Sequence, residues 1–277
     1  QFLIATLNSA LDTFYVDTPV AYPNYYYYRV VAFDSHYTSG KNFQNRSSYS
    51  SSCEIYTLTN KWYVNTNSGA DTFAGFPNFP FKTITKALTI ANVNDTVFVS
   101  DGIYNENINI NKNNISLVGE SRENTIINAG GNTLYAGSDK TNITIRNFKI
   151  IGGVNGLLFE RLNNCFFDSI YIVSPVTDGI VLSQIAGIGT SNCTFANIKV
   201  DNAGRFGVYV AGSGNTANYF NNCVFYNCNN IGLYNEASNY IIENCVFDGM
   251  NGAGYAYGTN TMLKNNIFRN MKNGNSG

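Results

Sequence analysis

The sequence predicts an all-β chain whose larger part is a parallel solenoid, and three observations predict it. Between residues 113 and 268 an Asn is followed seven times by a small or apolar residue, any residue, and a large apolar one. The copies begin at Asn114, Asn142, Asn164, Asn192, Asn222, Asn244 and Asn265, at intervals of 28, 22, 28, 30, 22 and 21 residues, too regular for chance and too short for domains. A second phrase keeps step: a Gly opens a period-two apolar pair at Gly156, Gly179, Gly207, Gly232 and Gly254. Third, apolar residues in this region alternate and never hold a 3.6-residue period beyond a few positions, which indicates strands. Two short strands per period, each introduced by a turn residue, describe one coil. Stacked in parallel about 4.8 Å apart, such coils line equivalent side chains into ladders. One predicted interior ladder holds Ile115, Ile143, Cys165, Cys193, Cys223 and Cys245, and another holds Leu117, Ile145, Phe167, Phe195, Phe225, Phe247 and Phe268. Between them Ser116, Thr144, Phe166, Thr194, Val224, Val246 and Ile267 face outward.

Residues 1–58 follow other rules. A strand at residues 13–18, a Tyr-rich strand from Tyr25 to Asp34 and a Ser-rich strand from Ser50 to Tyr56 show no coil repeat. They resemble the last three strands of a fibronectin type III domain, a β-sandwich family with a Tyr-x-Tyr-Arg-Val-x-Ala-x-Asp strand. The segment therefore reads as a partial domain of antiparallel strands serving as spacer or anchor. The single His36 falls in the loop after the Tyr-rich strand and reads as a solvated turn residue.

From residue 59 the chain enters the solenoid. Lys61 to Asn65 is a strand, and a Gly/Pro/Asn loop follows to Pro80. Apolar residues at Phe81, Ile84, Leu88, Ile90 and Ala91 predict an amphipathic helix of about three turns, laid over the raw apolar end of the first coil. The strand from Asp95 to Ser100, the turn Asp101-Gly102 and the stretch from Tyr104 to Ile108 begin the coils.

Taken together, Trp62 to Val64, Pro80 to Leu88, Asp95 to Val99, Gly102 to Ile108 and Leu117 to Glu120 resemble the opening of proteins of the pectin lyase-like superfamily. The resemblance spans about residues 59–277 and implies a right-handed parallel β-helix. It implies no single reaction, because that superfamily includes lyases, hydrolases, esterases, epimerases, adhesins and phage tailspikes. Residues 273–277 show no cap, so the solenoid reads as C-terminally incomplete, with self-association through an open end as one expectation.

Composition narrows the partners. Charged residues make up 13% of the 277, the net charge is −1, and there is no basic or acidic run, which excludes electrostatic binding of nucleic acid or anionic membrane. No stretch reaches the roughly 20 apolar residues of a membrane span. The chain opens on Gln1 within what reads as a strand, without a signal pattern. Asn occurs 44 times, which favours turns and polar ladders and yields five sequons at Asn45, Asn94, Asn114, Asn142 and Asn192. Four of the six Cys share an interior column whose other members are Ile, so they read as buried free thiols.

The motif Gly102-Ile-Tyr-Asn-Glu106 resembles the opening of pectin methylesterases, but their later catalytic motifs have no counterpart here, so Tyr104 and Glu106 read as structural. The Asp pair and Gly-His-Gly of polygalacturonase-like enzymes are absent, and no His follows His36. Calcium, which polysaccharide lyases of this fold hold with acids on neighbouring coils, is not supported because the acids do not stack, and no cofactor or metal is expected. The remaining catalytic candidates are Lys199, Asp201 and Arg205 along one stretch, with Glu160 and Arg161 on the preceding coil. On the outward side of the Gly phrase, Tyr209 and Tyr234 are expected one coil apart with Glu236 nearby, a pair of parallel rings on which sugar C–H faces stack. The expected function is therefore recognition of a polysaccharide along an exterior face, outside the cell or at its surface. The alternatives are a polysaccharide lyase or glycoside hydrolase, and a structural adhesin, filament or fibre.

Overall fold

The computed structural model describes residues 60–272, except 138 and 257, together with the backbone of four earlier strands. These form two antiparallel pairs, Tyr25–Tyr28 with Cys53–Tyr56 and Phe33–Thr38 with Lys41–Arg46. His36 lies inside a strand rather than in the expected loop. The predicted strand at residues 13–18 lies outside the described residues. The chain divides into two compact units, Gln1–Thr59 and Asn60–Gly277.

The second unit is a parallel β-solenoid of about seven turns. Each coil carries three strands where the sequence predicted two. The coil that starts at Thr194 shows the pattern: Thr194–Ala196 on a first face, Lys199–Asp201 on a second and Val208–Val210 on a third. In two coils the first and second strands fuse, as Thr144–Ile151 and Phe166–Val173. The first two faces share one 15-stranded sheet, and the third is a separate 7-stranded sheet.

The corners explain the Asn content. The residue before the first face has positive φ at Asn94, Asn114, Asn142, Asn164, Asn192, Ala217, Asn239 and Asn260. So does the residue between the first two faces, at Asn147, Ser169, Asn197, Asn222, Asn244 and Asn265. A third such column, Gly152, Ser174, Asn202, Asn227, Gly249 and Asn270, ends the second face. Asn is among the side chains that tolerate this left-handed region best, and its amide then bonds to the coil below. Asn142 Nδ2 donates to Asn114 Oδ1 at 2.7 Å, and Asn222 Nδ2 to Asn197 Oδ1 at 2.6 Å.

Because two corners carry the same Asn-x-x-apolar phrase, the predicted ladders are each a splice of two. The strand pairing joins Leu117, Ile145, Phe167 and Phe195 to Phe220, Ile242 and Leu263 on the first face. Phe225, Phe247 and Phe268 continue the second-face ladder of Ile150, Ile172 and Val200. The 30-residue interval from Asn192 to Asn222 is thus a coil of 25 plus a step of five to the next corner. The Cys column splits likewise, Cys165 and Cys193 following the first corner and Cys223 and Cys245 the second; these four and Cys228 are free and buried. The outward residues Val224, Val246 and Ile267 belong to the second face, and Tyr219, Ile241 and Met262 continue the first.

Ring stacking gives the core its order. Phe167 and Phe195 lie 4.9 Å apart between centroids, Phe195 and Phe220 4.6 Å, and Phe225 and Phe247 5.1 Å, all near parallel. The glycine column makes room for the second-face ladder. A Cβ on Gly207 would sit 2.7 Å from Phe225 Cδ1 and 2.4 Å from Gly232 O, and one on Gly232 would sit 2.4 Å from Phe247 Cδ1.

The helix is shorter than predicted, Ile84–Ile90, with Ile84, Ala87 and Leu88 buried. Thr83 is its N-cap, accepting from Lys86 N–H. Phe81 stays outside it, bridging Val64 in parallel and stacking on Trp62 at 6.0 Å.

Candidate functional site

Three side-chain columns meet at the start of the third face. The residues preceding Gly156 and Gly179 continue a polar ladder that begins at Asn132: Asn155 Nδ2 donates to Asn132 Oδ1 at 2.8 Å, and Asp178 N–H donates to Asn155 Oδ1 at 3.3 Å. At the next coil the ladder changes character, to Phe206. Asp178, only 1% exposed, accepts from Arg205 Nε at 3.0 Å, Arg205 Nη2 at 2.5 Å and Phe206 N–H at 3.1 Å. That buried carboxylate raises the guanidinium's already high pKa and fixes its plane. The Arg205 guanidinium carbon then lies 4.6 Å from the Phe206 centroid and 4.7 Å from that of Tyr209. Its side chain is 42% exposed, so part of it remains in solvent.

The two candidate tyrosines are cross-strand partners on adjacent coils, both half-buried. Their rings are not parallel as expected: the centroids are 5.7 Å apart at 61°. The reason is Phe206, which stacks on Tyr234 at 5.0 Å and 15° and tilts against Tyr209 at 5.5 Å. Glu236 follows on the same strand side, and its carboxylate accepts from Gly212 N–H at 2.8 Å.

The other candidates lie on different coils: Glu160 and Arg161 stand two coils before Lys199, Asp201 and Arg205 and not on the preceding one as expected. Lys199 and Asp201 lie on the second face, 3.8 Å apart, with Tyr171 beneath: its hydroxyl donates to Asp201 at 3.2 Å and its centroid is 4.3 Å from Lys199 Nζ. Arg205 belongs to the third-face cluster. Glu160 accepts from the Tyr135 hydroxyl at 2.6 Å, and Arg161 pairs with Asp139 at 2.5 Å in the turn that follows. The structure therefore brings Arg205 together with Tyr209 and Tyr234, and leaves Lys199 with Asp201 and Glu160 with Arg161 on other elements. Asp178 and Phe206 escaped the sequence reading, although both stand immediately before a glycine of the repeat, the position that opens the third face.

Among the described residues no group of three or more His, Cys, Asp or Glu is placed to hold a metal ion. Burial pushes the Cys223 thiol up, and that of Cys228 up to about 12, so these thiols are held protonated. No helix among the described residues is long and apolar enough to cross a membrane.

Residues 183–276, about a third of the chain, match the family model described as right handed beta helix region. No curated protein matches. Among solved structures, a rhamnogalacturonan lyase superposes with a TM-score of 0.54 at 17% identity, covering 76% of this chain and 62% of its own. The chain thus spans about three-fifths of that enzyme's length. An alginate lyase from Paenibacillus sp. str. FPU-7 gives 0.48 at 13% identity, covering 67% of this chain and 94% of its own. The catalytic domain of a GH87 alpha-1,3-glucanase gives 0.49 at 13%, covering 79% and 48%. The first of these likenesses and the family model agree on the fold, a right-handed parallel β-helix; at such identities a likeness speaks for the fold and for no reaction.

Proposed function

On a right-handed parallel β-helix as scaffold, we propose that this protein recognises an extended polysaccharide along the third face, acting outside the cell or at its surface. The observation that carries the reading is the cluster of Arg205, Phe206, Tyr209 and Tyr234 anchored on the buried Asp178. Sugars present C–H faces that pack on aromatic rings and hydroxyls that bond to adjacent polar groups. A guanidinium has five N–H donors, of which Asp178 engages two, leaving others for hydroxyls. Because the aromatic side chains and Arg205 are held by packing and a bidentate pair, little entropy is lost on binding.

A catalytic reading requires an acid and a base converging on the bound chain. Asp178, the carboxylate that touches the cluster, is already engaged by Arg205 and the Phe206 N–H. Binding without cleavage is therefore the expected outcome. The test incubates the protein with a panel of polysaccharides and sizes the products by mass spectrometry, alongside binding measured by affinity electrophoresis. Intact polymers with retarded migration support recognition, and Tyr209→Ala and Tyr234→Ala are each expected to weaken binding about threefold to tenfold. Shortened polymers would replace this reading with an enzyme, unsaturated ends marking a lyase and saturated ends a hydrolase.

A further inference from the structure

We propose that the glycan is an uncharged polysaccharide, and that beyond the aromatic cluster it is held in a polar groove along the corner between the second and third faces; this rests on the reading above. The groove, about 510 Å³, lies against Asn202, Asn227, Asn229, Asn251 and Lys272, with Ser174 and Val176 at its other end. These residues come from five successive coils, so the groove runs along the solenoid axis for four intervals, about 19 Å at about 4.8 Å each. Gly204 also lines it and directly precedes Arg205, which joins the groove to the cluster. There the floor is bare backbone: a Cβ on Gly204 would fall 1.9 Å from Val176 O. Val176 itself is 72% exposed and, with Pro175 and Ala203, gives this end of the groove apolar surface beside the Asn residues.

The chemistry of the lining selects the sugar. A carboxamide offers two donors and an acceptor, matching hydroxyls that both give and accept. The ladder uses part of that capacity: Asn202 Nδ2 donates to Ser174 Oγ at 3.1 Å, and Asn251 Nδ2 to Asn229 Oδ1 at 2.5 Å. A uronic polymer would bring a carboxylate with every acidic unit, each needing a cation to offset its desolvation. Of the residues lining the groove only Lys272, at one end, is charged, while the Arg205 charge is already balanced by Asp178. Among the described residues no acidic cluster is present to bring in calcium as a bridge.

The test measures binding of the whole chain to soluble neutral polymers (β-glucan, galactomannan and arabinan) and to polygalacturonate and alginate, at low and high NaCl, with and without calcium. Expected are binding to a neutral polymer that changes less than about twofold with salt, and a loss of about threefold to tenfold in Asn229→Ala and Asn251→Ala, the first an exposed and the second a half-buried position, neither among the buried core residues. Binding confined to the uronic polymers, or dependent on calcium, would overturn this inference while leaving polysaccharide recognition standing. Neutral binding lost in Tyr234→Ala but unchanged in both Asn variants would overturn the groove. Failure to bind any polymer would overturn the inference and the function together.

Discussion

At the scale of single residues, the glycines of the repeat are set by space and not by backbone conformation. Gly207 is not among the positive-φ positions, yet a Cβ there would meet Gly232 O and the Phe225 ring below ordinary contact. Gly207→Ala is expected to destabilise the solenoid by about 1 to 3 kcal/mol, the usual range for overpacking, seen as a lower denaturant midpoint with an unchanged slope. Tyr104 makes a second residue-level case. It is buried, donates to Ser100 O at 2.8 Å and accepts from Thr66 N–H at 3.3 Å. Burial pushes its pKa up to about 12 from the usual value near 10. A raised folded-state pKa means its contribution is whole below about pH 10 and is lost as pH rises towards 12. Stability followed against pH should fall across that window, and Tyr104→Phe should make the fall shallower. A slope identical in the variant would show that Tyr104 is not the group responsible.

Among the elements, the helix Ile84–Ile90 shows how a segment too short to stand alone is held. Seven residues are well below the length at which an isolated helix persists in water. Its N-terminal end is held by carboxylates: Glu106 accepts from the N–H groups of Ile84 and Thr85, both at 2.9 Å, and Asp71 accepts from those of Lys82 and Thr83. Its other end is held by a cation, Lys112, which donates to the carbonyls of Leu88, Thr89 and Ala91. Both placements suit the helix dipole. The stretch Gly102 to Glu106, which resembles an esterase motif in sequence, thus places Tyr104 in the core and Glu106 on a helix end. Glu106→Ala is expected to cost about 1 to 2 kcal/mol and to speed hydrogen exchange in the helix ahead of the coils. Uniform loss of protection throughout the solenoid would contradict a local role.

For the molecule as a whole, each coil contacts mainly its neighbours, so stability is close to a sum of coil terms and interface terms. Phe195 sits at such an interface, packed on Phe167 and Phe220 and 6.3 Å from Phe159. Phe195→Ala is expected to cost about 3 to 5 kcal/mol and to uncouple the coils on either side, giving two unfolding transitions or a reduced slope where the parent gives one. A single transition with the parent slope would argue that coupling is carried by the backbone ladders instead.

The solenoid, its period near 22 residues and the alternation of interior and exterior are legible in the sequence, because a left-handed corner favours Asn or Gly and a pleated strand alternates its faces. It determined that Tyr209 and Tyr234 share an exterior column, since both occupy the same place after a glycine. It could not determine the number of faces. Two corners use the same Asn-x-x-apolar phrase, and local chemistry cannot tell one left-handed corner from another, so Phe195 and Phe225 read as one ladder when they belong to two. Nor could it show that Asp178, Arg205 and Phe206 make one cluster with the tyrosines. Asp178 and Arg205 are 27 residues apart and meet only because a coil there is 28 residues long, a length fixed by how the intervening loop packs back onto the stack.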